Sequence, residues 1–188
     1  MIRYTLLVMT LLLFSGVVVA QNEKLVELYL ATGTSFPTRD FDIQYNHGYN
    51  GSVGIGCRIA NNFRVVTKAE IQTFAFDQTI LQDSVSGGDY TAIMTGVDLR
   101  WYKDIPGWGL DPMLLIGGGV AFSWVSALTI GSVNYDATHE IKPYVNIGAG
   151  IDVQLTPKIS GFLTGRYVRI SSGGTKAEFY PINVGIRF

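Results

Sequence analysis

The last nine residues, Tyr180-Pro181-Ile182-Asn183-Val184-Gly185-Ile186-Arg187-Phe188, carry an apolar side chain at every second position. Successive side chains of an extended strand point to opposite faces. Tyr180, Ile182, Val184, Ile186 and Phe188 therefore share one face, while Asn183, Gly185 and Arg187 share the other. The same period of two recurs along most of the chain, where a helix would require a period of 3.6. This pattern limits the chain to a fold built from amphipathic strands.

Eight such segments can be marked: Lys24–Phe36, Tyr49–Ala60, Phe63–Phe76, Tyr90–Tyr102, Pro112–Trp124, His139–Leu155, Ile159–Ile170 and Tyr180–Phe188. Strands of about ten residues cross a bilayer when tilted. Asn61-Asn62 and Thr156-Pro157-Lys158 read as tight turns, since Asn tolerates positive φ and Pro pre-sets a turn. Pro37–Gly48, Asp77–Asp89, Val125–Thr138 and Ser171–Lys176 read as longer, outward-facing loops. Long and short connections thus alternate, as in an up-and-down membrane barrel. The Gly- and Pro-rich link Lys103–Asp111 departs from that rule by its length.

The two faces of these strands differ in size as well as polarity. One collects Gly33, Gly54, Gly56, Gly96, Gly117, Gly119, Gly148, Gly150 and Gly185 together with charged residues; the other is bulky and apolar. A soluble barrel turns its apolar face inward, whereas a membrane barrel turns it to lipid. Small residues suit a narrow interior, so the expected fold is all-β: an eight-stranded antiparallel up-and-down transmembrane β-barrel. Its lumen would hold Glu27, Arg58, Lys68, Glu70, Asp98, Arg100, Asp152 and Arg166. Unpaired charge is costly there, so these residues are expected to form a salt-bridge network that plugs the lower lumen. Arg64 and Arg187 are expected at the wet rim. Trp101 and Tyr102 would form one aromatic girdle, and Trp124 and Tyr144 the other. Cys57 projects from the apolar face as a small hydrophobe.

At the start of the chain, Met1-Ile2-Arg3 precedes an uncharged apolar run, Tyr4–Val19, and Val18-Val19-Ala20 precedes Gln21. This is the layout of a secretory signal peptide. The expected organisation is a signal peptide over 1–20 and one barrel domain over 21–188. A net charge of −1 gives no electrostatic footprint for a nucleic-acid partner. A single cysteine excludes an intramolecular disulfide. No cofactor is expected, because Gly117-Gly118-Gly119 and Gly148-x-Gly150 lie inside strands and open no helix. No metal site is expected either: His139-Glu140 lacks a second His at helical spacing, and Pro143 opposes a helix there.

Taken together, these features resemble the outer-membrane β-barrel domain family, the small eight-stranded barrels of the outer membrane protein A and X type. The resemblance rests on the signal peptide, the eight alternating segments, the inward charges Glu70, Asp98, Arg100 and Arg166, and the ending Val184-Gly185-Ile186-Arg187-Phe188. It implies a bacterial outer-membrane location, contact with outer-membrane lipid, and an assembly signal in Val184, Ile186 and Phe188 read by the barrel-assembly machinery. It also implies a structural or interaction role, with an extracellular ligand or protein met by the loops. A narrow porin-like channel is one alternative. A lipid A-modifying enzyme is another, with His47 or His139 set beside Asp77, Ser84, Ser86 or Ser172. No Gly-x-Ser-x-Gly elbow is present, so no enzymatic activity is expected.

Overall fold

A computed structural model describes residues 26–80, 85–103, 105, 109–171 and 176–188. The expected signal peptide, Ser84 and Ser172 lie outside the described residues. Eight long antiparallel strands close into a barrel: β1 (Val26–Pro37), β2 (Gly48–Ala60), β3 (Phe63–Phe74), β5 (Tyr90–Tyr102), β6 (Leu110–Val125), β9 (Thr138–Gln154), β10 (Ser160–Ile170) and β11 (Ala177–Arg187). Each pairs with its neighbour in sequence. The ring shuts where β11 meets β1, with Tyr29 opposite Arg187 and Phe36 opposite Tyr180. Leu28 and Phe188 extend that seam by exchanging both backbone hydrogen bonds, at 3.0 and 3.2 Å. Closure leaves no strand edge in the wall, the condition for a sheet to sit in lipid.

Pro181 marks a weak point beside this seam. It has no N–H to donate. The ladder between β11 and β10 is continuous from Arg187 to Ile182, and resumes only at Phe179 opposite Val168. Pro181 still stands opposite Ser35 on the β1 side.

The expected inside-out pattern is present. Val53, Ile55, Ile71, Ile116, Ile147, Ile182 and Val184 are exposed, whereas Glu70, Asp98, Asp152 and Arg166 are buried. Outward-facing aromatics fall near both ends of the wall. Trp101 opposes both Phe63 and Leu114 near the short turns, and Trp124 opposes Thr91 toward the loops. About ten steps of ~3.3 Å separate these levels along β5, which at a tilt of ~35–45° gives a belt of ~25 Å. Tyr102 and Tyr144 do not belong to the girdles. Both turn into the lumen and are nearly inaccessible.

The loop end is more ordered than the sequence suggests. The connection after β1 contains a short helix, α1 (Asp40–Gln44). Three short strands, β4 (Val85–Gly87), β7 (Leu128–Ile130) and β8 (Val133–Tyr135), form a second sheet in the order β4-β7-β8. Gly131, at φ +58°, makes the tight turn between β7 and β8, a conformation that glycine adopts without strain. The stretch Val125–Thr138 is therefore a hairpin added to β4, and not only a loop.

If the apolar belt faces lipid, a charge at its middle must be expensive. Ile116→Arg should lower the unfolding free energy in lipid vesicles by about 2–4 kcal/mol. Urea titration followed by tryptophan fluorescence would measure this; a soluble barrel would tolerate the change at this exposed site.

Candidate functional site

The lumen is densely packed with side chains, and its buried charges come from six of the eight wall strands. At the short-turn end, Glu27 on β1 is the hub. Its carboxylate accepts from Arg187 at 2.5 Å and from the Tyr29 hydroxyl at 2.6 Å, and it pairs with Arg64 at 3.0 Å. Arg187 also reaches both oxygens of Asp152, at 2.8 and 3.2 Å, and donates to Ser160. Two parallel N–H···O contacts of this kind are strong and orient the guanidinium. The Arg64 guanidinium lies over the Tyr102 ring, 3.9 Å from its centroid.

Arg64 and Arg187 are thus members of the network and not rim residues. Both have partners on nearby strands of the closed ring, Glu27 on β1 for both and Asp152 on β9 for Arg187, which the linear sequence does not reveal. The rim position falls instead to Arg58. Its side chain is 44% exposed and only 3.7 Å from Glu27.

A second group occupies the middle of the lumen. Lys68 bridges Asp98 at 2.9 Å and Glu70 at 3.6 Å. Arg166 donates to Glu70 at 2.5 Å, and the Gln72 amide donates to the same carboxylate oxygen. Asn146 donates to Asp98 at 3.1 Å, and Arg100 stands 3.6 Å from it. Arg100 also sits over the rings of Tyr29 and Phe162, 4.7 and 5.9 Å from their centroids. Tyr29 therefore joins the two groups, through its hydroxyl below and its ring above. The network reaches mid-height rather than stopping in the lower lumen.

Close packing makes room for these contacts. A Cβ at Gly117 would collide with the Asp98 carboxylate, and one at Gly56 would lie 2.6 Å from the Tyr29 ring. Both glycines face side chains too large for any other neighbour, the ordinary reason for glycine inside a strand.

Above the charges the polar chemistry fades. Ser35 donates to Gln72 at 2.5 Å, and Asn50 donates to Ser35 at 2.9 Å. Next comes an apolar layer of Phe74, Tyr90, Met94, Tyr144, Val168, Ile170 and Phe179. Helix α1 drops Phe41 into the centre of this layer, with ring centroids 5.1 Å from Phe74, 5.2 Å from Tyr90 and 4.6 Å from Tyr45. The sequence places Pro37–Gly48 as an outward loop; in the structure Phe41 and Tyr45 instead seal the mouth from within. Phe41 as the sole large apolar residue between Asp40 and Asp42 is the sequence signal for this, legible only once the helix is known.

The lid is tied down at both ends. Arg39 pairs with Glu178 of β11 at 2.9 Å, and the Thr38 N–H donates to the Glu178 carbonyl. The Asp77 N–H donates to the Gln44 carbonyl. Arg39 holds φ +58°, outside the usual region for a side chain of its size.

Among the described residues, the two histidines weighed for catalysis do not converge. His47 immediately precedes β2 and His139 lies on β9, and these strands are four places apart in either direction around the ring. The two imidazoles therefore stand on opposite walls. Asp77 is committed to the N–H and hydroxyl of Thr79, at 3.0 and 2.7 Å. Those hydrogen bonds hold its carboxyl below the ordinary range, which makes it a weaker base. Ser86 belongs to β4, in the outer sheet.

Removing one member of a buried ion pair leaves the other without compensation. Arg166→Ala and Glu70→Ala should each lower stability by about 3–5 kcal/mol. A double variant should cost less than the sum of the two, as paired groups do. Urea unfolding of the four proteins in vesicles measures the coupling; additive losses would mean that the contact contributes nothing.

No protein-family model matches the chain, and no curated protein matches its sequence. Solved structures do share its architecture. The neisserial surface protein A (NspA) superposes with a TM-score of 0.66 at 13% identity, over 86% of this chain and 95% of that one. A major outer membrane protein from Thermus thermophilus gives 0.58 at 10% identity, over 87% and 98%. Ail, the attachment invasion locus protein of Yersinia pestis, gives 0.53 at 13% identity, over 87% and 97%. At such identities the likeness speaks for the fold, and with the bulky apolar exterior it is decisive on that point: the chain is a small eight-stranded β-barrel of the outer-membrane type.

Proposed function

We propose that this chain is an integral protein of the bacterial outer membrane that acts through its loop end and conducts nothing through its lumen. The observation that carries this reading is the filled interior, with ion pairs at two heights and an aromatic seal above them. An eight-stranded barrel has room for little more than its own side chains. What is left to meet other molecules is the outer sheet β4-β7-β8, where Val133 and Tyr135 are exposed, and the lid, where Ile43 is exposed.

The chemistry of that end bears on its partner. Ail, a barrel of this fold, is known in complex with the heparin analogue sucrose octasulfate. Here Asp40, Asp42, Asp77, Asp89, Asp136 and Glu140 outnumber Arg39, Lys142, Arg169 and Lys176 among the described loop-end residues. A highly sulfated sugar would meet net repulsion, so the reading favours a protein partner that uses the exposed sheet. The reading assigns no catalytic role to His47 and His139, whose strands lie on opposite sides of the ring.

Reconstitution into planar bilayers tests the closed lumen. No stable unitary conductance is expected from the parent chain, and a steady single-channel current would overturn the reading in favour of a narrow pore.

The terminal strand carries a second part of the proposal. Val184, Ile186 and Phe188 present a regular apolar row at the short-turn end of the wall, which suits recognition by the barrel-assembly machinery. Deleting Phe188 should cut the amount of folded, heat-modifiable barrel in the outer membrane several-fold. Its refolding in detergent should change little. Equal losses in both settings would assign Phe188 to stability alone.

A further inference from the structure

The ionic groups of the lumen do not balance, and the imbalance is local. At the short-turn end, Glu27 and Asp152 match Arg64 and Arg187, with Arg58 left half in water. In the middle, Glu70 and Asp98 face three cations: Lys68, Arg100 and Arg166. All five are nearly inaccessible. No third carboxylate joins them among the described residues, so this layer carries one positive charge in excess. Uncompensated charge in a poorly solvated interior is among the most costly arrangements a protein can hold.

The excess sits beside space. A lumenal cavity of about 20 Å³ is lined by Tyr29, Lys68, Glu70, Arg100, Arg166 and Asn183, among others. A volume of that kind holds one water or one ion of similar size. Three guanidinium nitrogens in its wall, Nε and Nη1 of Arg100 and Nη1 of Arg166, have no hydrogen-bond partner within the protein. Glu70, the carboxylate of that lining, turns Oε1 to Arg166 and Gln72 and has Oε2 3.6 Å from Lys68. That Oε2 and Asn183 Oδ1 are the acceptors of the lining left without a hydrogen bond. The cavity thus combines more spare donors than spare acceptors, net positive charge and room for one small guest.

We infer that the mid-lumen cavity binds a single monovalent anion of halide size, held by Arg100 and Arg166 and neutralising the excess charge of the layer. The ion is structural: it completes the plug. The inference rests on the closed-lumen reading, but its test does not use conductance, so the two can fail separately. A barrel that conducts would overturn the first; a barrel indifferent to halide overturns the second.

The full chain, refolded in zwitterionic micelles, would be unfolded with urea across a chloride series, with sodium gluconate keeping the ionic strength constant. A ligand that binds only the folded state stabilises by mass action. Above the dissociation constant, the unfolding constant should fall about tenfold for each tenfold rise in chloride. Arg100→Gln removes both the excess charge and two of the spare donors, so its curves in chloride and gluconate should coincide. Superimposable curves for the parent chain overturn the site, and so does a chloride effect that Arg100→Gln retains in full. Should that variant fail to refold, crystals of the parent grown in bromide decide the matter. An anomalous peak between Arg100 and Arg166 supports the site, and an ordered lumen without one overturns it.

Discussion

Every feature of this molecule depends on the pairing of β11 with β1. An open eight-stranded sheet would expose two rows of backbone N–H and C=O groups, which a bilayer cannot satisfy. Closing the sheet removes both rows and at the same time fixes the circumference. A ring of eight strands encloses a space only as wide as its own side chains. The apolar exterior, the packed polar interior and the sealed mouth are three answers to that single restriction.

The interior answer is the most demanding. Arginine and aromatic side chains share the lumen, with Arg64 over Tyr102 and Arg100 beside the Tyr29–Phe162 pair. Stacking of this sort compensates a guanidinium where water is scarce. Glycine on the facing strand then supplies the missing volume, as Gly56 does for Tyr29 and Gly117 for Asp98. Charge, ring and glycine are one packing unit here, and no member can be changed alone without disturbing the others.

The wall was legible in the sequence because its signal is local. A period of two in Val53-Gly54-Ile55-Gly56 or in Ile147-Gly148-Ala149-Gly150 is visible within a few residues. Inward direction followed from the same alternation, so Glu70, Asp98, Arg100 and Arg166 were identifiable as lumenal without knowing their partners. Partnership was not legible. Arg187 and Glu27 lie 160 positions apart, and only closure brings them together, which is why Arg64 and Arg187 looked like rim residues. The inner face also proved less polar than its glycines suggested, since Met113, Leu115, Phe162 and Val168 are buried within it. The lid was hidden for a different reason. Asp40-Phe41-Asp42-Ile43-Gln44 is polar on average, and its one helical turn is set by contacts with Phe74, Tyr90 and Phe179 rather than by its own propensity.

The span of these ion pairs has a kinetic consequence. Arg166 and Glu70 are 96 positions apart, and Asn146 and Asp98 are 48. Arg166 on β10 and Glu70 on β3 stand on opposite walls, so until the ring shuts each faces an unfinished bowl without its partner. The pairs Arg166–Glu70 and Arg187–Glu27 therefore form late, together with the seam, whereas Lys68–Asp98, on the paired strands β3 and β5, can form as the sheet grows. Contacts made after the transition state act mainly by slowing the reverse reaction. To come apart, the barrel must break the seam and strip several ion pairs in the same step. Longevity of the closed state, more than speed in reaching it, is what so many buried charges provide.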